Sequence, residues 1–262
     1  MNVIIDRNKK ILVFITLVLV SLIAFSCKSE YAKYVSLEPG IDNNIVFFNI
    51  KNYSRKELGD YIRKIDSLEP RVIALDVQFD ELKDAYGDSV LASAIANSGK
   101  IVMSSFIDQN SIVHKSDPYF TQNILGDGVL SGVIDDQNVM SKYVPIFENN
   151  DGQFVAFPTL ITLYYKFGLK NVYNYMVNNQ YEIKFTKNKD QFVILDENSM
   201  QKKQVRGKIV FFGYLGPNHE NEYLTPLDIV EGDDSKTYSA IITANIVLNL
   251  LKDKNLREPQ IK

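Results

Sequence analysis

The sequence contains no tryptophan, a single cysteine and only two histidines among its 262 residues. With Cys27 alone, no intrachain disulfide can form, and a zinc site built from several thiolates is excluded. His114 and His219 have no second histidine or cysteine at metal-ligand spacing, so neither a metal nor any other cofactor is expected. Surplus positive charge is also missing. The 29 Lys and Arg against 32 Asp and Glu leave a net charge of −3, without the basic footprint that nucleic-acid binding needs. There is no internal repeat and no low-complexity tract. What is present is ordinary for a packed protein: 45% hydrophobic and 23% charged residues. Setting the apolar N-terminus aside leaves roughly 230 residues, enough for one large domain or two small ones with a real core.

The first 27 residues read as a targeting segment and stand outside the fold argument. Arg7, Lys9 and Lys10 precede ILVFITLVLVSLIAFS, sixteen residues without a charge at positions 11–26. In a helix that run spans about 24 Å, against a hydrocarbon core of roughly 30 Å. A short membrane anchor and a signal-peptide core both fit. Cys27 follows Ala24-Phe25-Ser26, which resembles a relaxed lipoprotein cleavage box, so Cys27 is either a lipidation site or the end of an uncleaved anchor. The cations ahead of the run favour an N-terminus in the cytoplasm. Residues 28–262 are expected outside it.

Residues 31–44 are polar, contain Pro39-Gly40, and read as a spacer. Residues 45–50 (IVFFNI) are continuously apolar, the pattern of a strand buried on both faces. Ser54 with Glu57 three residues on is a capping-box signature for a helix carrying Leu58, Ile62, Ile65 and Leu68. A second buried strand follows at 71–77 (RVIALDV), which makes a βαβ unit with parallel strands. A helix over 87–98, ended by Gly99, leads to a third apolar strand at 100–107. Residues 129–134 and 143–147 are predicted as strands around Asp135-Asp136, and Asn149 to Gly152 as a hairpin turn into 153–157. Pro158 opens a helix. Residues 208–212 (KIVFF) form another buried strand, and 237–251 a long helix. Together these predict an α/β fold: a layered, largely parallel central sheet flanked by helices, with an antiparallel strand extension from 128–157 and 181–196.

Few residues suggest chemistry. Asp76 ends the 71–77 strand, where α/β sheets place functional side chains. Asp80 and Glu81 follow closely, so a carboxylate-based hydrolase is the enzyme alternative. It would require the three acids to converge with one strongly perturbed pKa; otherwise Asp76 serves as a turn cap. Gly213 to Gly216 lacks dinucleotide spacing. Phosphate cradles, nucleophile elbows and paired-histidine metal motifs do not occur. No catalytic residue is assigned.

IVFFNIKN, PRVIALDVQFDE, LASAIANSGKIV and PYFTQN occur in this order, followed by VRGKIVFFGYLG, YLTPL, TYSAIITANIV and LREP. The series resembles the type-2 CHASE domain, an extracytoplasmic sensory module associated with cyclases and histidine kinases, over about residues 44–259. The resemblance implies a division into an N-terminal anchor or signal segment (1–27), a linker (28–43), the sensory domain (44–259) and a short tail (260–262). It implies a membrane-anchored, non-enzymatic domain that senses a small-molecule or envelope signal and acts through a separate signalling protein. A lipid-anchored envelope assembly protein is a further alternative. Family members usually continue into more membrane helices and an output domain, which are not expected here. The usual His-Ala-Asn of the last helix reads Thr243-Ala244-Asn245. The carboxyl end of the sheet is the default pocket, with Asp76, Thr225 and Asn245 as its expected lining; Thr225 as a turn residue and Asn245 as a buried amide bonded to backbone are the structural alternatives.

Overall fold

The computed structural model describes residues 13–18, 20, 26, 28–168, 178–216, 222–232 and 236–253. In chain order its strands are β1 (Ile45–Asn49), β2 (Val72–Leu75), β3 (Ile101–Ile107), β4 (Val113–His114), β5 (Gly126–Leu130), β6 (Gly132–Ile134) and β7 (Met140–Tyr143). There follow β8 (Ile146–Asn149), β9 (Gly152–Val155), β10 (Tyr181–Glu182), β11 (Val193–Ile194), β12 (Ile209–Gly213), β13 (Glu222–Tyr223) and β14 (Thr237–Tyr238). The helices are α1 (Arg55–Asp66), α2 (Ala85–Ser98), α3 (Phe157–Phe167), α4 (Lys202–Val205), α5 (Pro226–Glu231) and α6 (Ser239–Lys252).

The apolar runs β1, β2, β3 and β12 join β11 and β5 in one parallel sheet of order β11-β1-β12-β2-β3-β5. Beyond the end of β2, the short β4 pairs antiparallel with the far end of β3. The fold is thus α/β with a mostly parallel central sheet flanked by helices, as the alternation of strands and helices predicts. β1 and β2 are parallel as expected but do not touch. The late strand β12 is inserted between them, pairing Val46 with Val210 and Ile73 with Val210. The antiparallel extension exists as β10-β7-β6 and the β8–β9 hairpin. Two expected members of it, β5 and β11, lie instead in the parallel sheet, because the chain leaves that sheet only at Ser131.

Alternate residues of each central strand point to opposite faces. Val46, Phe48, Ile73, Leu75, Ile101, Met103, Val210 and Phe212 pack against Leu58, Ile62 and Ile65 of α1 and Leu91 and Ile95 of α2. Ile45, Phe47, Val72, Ala74, Val102, Ile209 and Phe211 pack against Phe157 and Ile161 of α3 and Ile241, Ala244, Val247 and Leu248 of α6. Burying each large side chain is worth about 1.5–3 kcal/mol, so the central strands act as the fold's main source of stability. The Ser54/Glu57 capping box starts α1 and Gly99, at φ 63°, ends α2. Pro158 stands in the first turn of α3. α6 is apolar all round because its other side, Ile242, Ile246 and Leu250, packs on the small sheet through Met140, Tyr143 and Ile183.

The stretch read as a spacer is docked on the domain. Tyr31 and Tyr34 are buried against Val139, with Leu224, Ile229 and Val230 beside them. Ser36 and Glu38 N–H donate to the carbonyls of Phe185 and Thr186 at 2.9 Å each. The Lys187 ammonium donates to the carbonyls of Glu38, Pro39 and Gly40 at 2.9, 3.2 and 2.8 Å. Cys27 and residues 254–262, including the whole LREP segment and the tail, lie outside the described residues, as does His219.

Candidate functional site

The even-numbered residues of β2 face α3 and α6, and continuing that alternation by one step brings Asp76 to the same side just past the strand. Its N–H donates to Phe212 carbonyl at 2.8 Å, so its backbone is still held by the sheet. Beside it Gly213 must be glycine. A Cβ there would come within 2.7 Å of the Ala240 Cβ, where the first turn of α6 crosses the strand end. On β5, a Cβ on Gly128 would stand 2.5 Å from the Phe157 Cα. These two glycines let both helices start close above the sheet, yet neither helix start covers its carboxyl end.

What remains is a cavity of about 580 Å³ at the carboxyl ends of β2 and β3, the size range of small-molecule pockets. Its floor carries Asp76 and Ser104; Ser239, Ile242, Thr243 and Ile246 of α6 form one wall, and Leu130 to Gly132 with Met140 and Tyr143 another. Tyr214 and Tyr223 complete the rim. Burial pushes the Asp76 carboxyl up to about 6, partly offset by the hydrogen bond that Ser104 donates to it. Among the described residues, no lysine, arginine or histidine lines this cavity.

The expected trio does not meet there. Thr225 is fully buried as the N-cap of α5, where its hydroxyl donates to Asp228 Oδ2 at 2.8 Å and its N–H to the same atom at 2.7 Å. Thr237 donates to the other Asp228 oxygen at 2.7 Å, so the Thr-Pro-Leu motif clamps α5 to β14. Asn245 is likewise fully buried. Its amide oxygen accepts from Thr186 and Lys187 N–H at 2.8 and 3.0 Å, and its nitrogen donates to Lys187 and Ile241 carbonyls at 2.8 and 3.0 Å. Both side chains are occupied in holding structure. Thr243, two residues earlier, is one of the α6 residues that line the cavity. A helix turns about 100° per residue, so positions 243 and 245 look in nearly opposite directions.

Nor do the three carboxylates converge. Asp80 and Glu81 are exposed, and Asp80 lines a separate open depression with Lys115 and Asp117. The hydrolase alternative loses its constellation. The second buried acid near this loop, Asp88, is spent on structure. Arg55, itself buried, pairs with Asp88 and donates to the Glu81 carbonyl, while its guanidinium lies 5.0 Å from the Phe120 ring centroid. Burial pushes Asp88 up, but Arg55 and the N–H groups of Lys83 and Asp84 outweigh it and hold the carboxyl below its ordinary range. His114 pairs with Asp108 at 3.1 Å and stacks on Phe106.

Residues 40–261 match the model of the CHASE2 domain family, most of the chain. The chain belongs to that family. CHASE2 domains are extracytoplasmic and sensory. No curated protein and no solved structure matches the chain. Among the described residues no helix is long and apolar enough to cross a membrane.

Proposed function

We propose that this CHASE2 domain is a membrane-anchored sensor that takes a small molecule into the cavity above β2 and β3 and passes the bound state to a separate signalling protein. The cavity carries the proposal: a partly open pocket with several polar groups stands where parallel α/β sheets hold ligands. Asp76, Ser104 and Thr243 are its contacts, with Thr225 and Asn245 acting as scaffold behind them.

Anchoring is supported by the exposure of Val13, Phe14, Leu17 and Val20 in the apolar run, between 58% and 67% each, a costly surface in water and a suitable one in lipid. Acylation of Cys27 is the alternative anchor. The route outward is short. Gly132, Ile134 and Met140 line the cavity, and the turn between them contains Asp135, which accepts a hydrogen bond from Tyr31 at 2.7 Å. Tyr31 begins the docked segment that leads back to the apolar run, so a ligand that moves β6 and β7 moves the anchor.

The test is thermal unfolding of the full-length chain against nucleotides, amino acids, sugars and cell-wall fragments, in parallel with Ser239→Phe, which fills the cavity. A ligand at 100 times its dissociation constant adds about 2.7 kcal/mol, or roughly 5–10 °C for a domain of this size. A shift in the wild type that Ser239→Phe abolishes supports the sensor. A shift that survives the filled cavity, or none at all, removes it.

A further inference from the structure

Among the described residues, the cavity lining has one acidic group and no basic one, and this asymmetry carries more than its size. Asp76 accepts a hydrogen bond from Ser104, and among the described residues no cation reaches it. Elsewhere the fold completes its buried acids. Asp88 has Arg55, and Asp228 has the hydroxyls of Thr225 and Thr237 with the Thr225 N–H. Asp76 is half-buried, and a carboxylate held at a cavity floor without a counter-charge favours a positively charged guest. The walls suit the same guest, since Tyr143, Tyr214 and Tyr223 place phenol rings around the space, and aromatic rings attract cations.

Building on the sensor reading, we propose that the ligand carries an ammonium group, which the Asp76 carboxylate receives at the floor of the cavity between the tyrosines. An anionic ligand would meet Asp76 with like charge and, among the described lining residues, no lysine or arginine to offset it. Among the described residues, the other titratable side chains that line the cavity are those three phenols. Asp76 is the only carboxylate among the described lining residues, and burial sets its titration near pH 6.

Four probes of matched length test the class and its source in the full-length chain: putrescine, 4-aminobutyrate, butane-1,4-diol and succinate. Two readouts are taken, the thermal midpoint and the titration of the Asp76 carboxyl carbon by NMR. Putrescine, 4-aminobutyrate or both are expected to raise the midpoint and to draw the Asp76 titration to lower pH. The stabilising effect should weaken about tenfold in affinity from pH 7 to pH 5, as the carboxylate protonates, and vanish in Asp76→Asn. Response to putrescine alone marks a simple amine, and response to 4-aminobutyrate alone an amino acid. Should Asp76→Asn fail to fold, the wild-type titration decides, because a purely structural aspartate would not move with an added amine. Binding of the diol or succinate that Ser239→Phe abolishes overturns the ammonium class while leaving the cavity a ligand site. No movement of the Asp76 titration with either ammonium probe at saturating concentration overturns the inference itself.

Discussion

The two faces of the central sheet are built from the same strands and differ in how they end. On the α1/α2 face the helices meet closely: a Cβ on Gly59 would touch the Leu91 backbone at 3.0 Å. The loop leaving β2 is drawn down onto them by the Arg55–Asp88 pair. On the α3/α6 face the helices cover the middle of the sheet equally well, but their first turns stand around its carboxyl end without closing it. One face is finished with an ion pair, the other with an unpaired acid in a cavity. The lesson is that both faces carry a full core, while among the described residues only the α3/α6 face leaves a cavity at the strand ends.

That contrast breaks most visibly in the core. Phe212→Ala, on the α1/α2 face of the central strand, is expected to cost about 3–5 kcal/mol in chemical denaturation, since the cavity it leaves cannot collapse between close-packed helices. Next comes Asn245→Ala, which strands buried backbone groups of Thr186 and Lys187 and should cost about 2–4 kcal/mol. Thr243→Val, on the same helix but facing the cavity, should cost under about 1 kcal/mol. A loss at position 243 equal to that at 245 would mean that Thr243 is structural after all.

The two acids sharpen the comparison through opposite pH signs. The folded-state carboxyl of Asp76 titrates near 6 instead of 3.8, so the folded protein holds that proton more tightly than the unfolded chain. The stability it contributes is fully present below about pH 4 and is lost as the pH rises to about 6. Asp88 is held below its ordinary value. Its contribution is present above the unfolded carboxylate range and lost as the pH falls. Asp76→Asn is therefore expected to raise stability near pH 7 by about 2 kcal/mol and to flatten the slope between pH 4 and 6. Denaturation midpoints across that range check it, and a slope unchanged by the substitution would place Asp76 in solvent.

Much of the fold was legible because β1, β2, β3 and β12 are buried on both sides and so read as unbroken apolar runs, and because Ser54, Glu57, Gly99 and Pro158 mark helix ends by local chemistry. The insertion of β12 between β1 and β2 was not legible, since strand order is set by long-range pairing that no local pattern records. β5 and β11 were misplaced for a related reason: a short strand at a sheet edge carries the same pattern whichever sheet takes it. For the site, Asp76 was found from its place at a strand end. Thr225 and Asn245 were read from motifs, and a motif does not say whether a residue is held for packing or for binding. Thr243 could have been found from helical phase, because the neighbours that bury position 245 turn position 243 toward the sheet end.

The most direct measurement is a crystal structure of the full-length chain grown with the compound that raises its thermal midpoint most. The account requires that compound to lie at the carboxyl ends of β2 and β3, in contact with Asp76 and Thr243. A compound seated anywhere else, with this cavity holding only water, would contradict it.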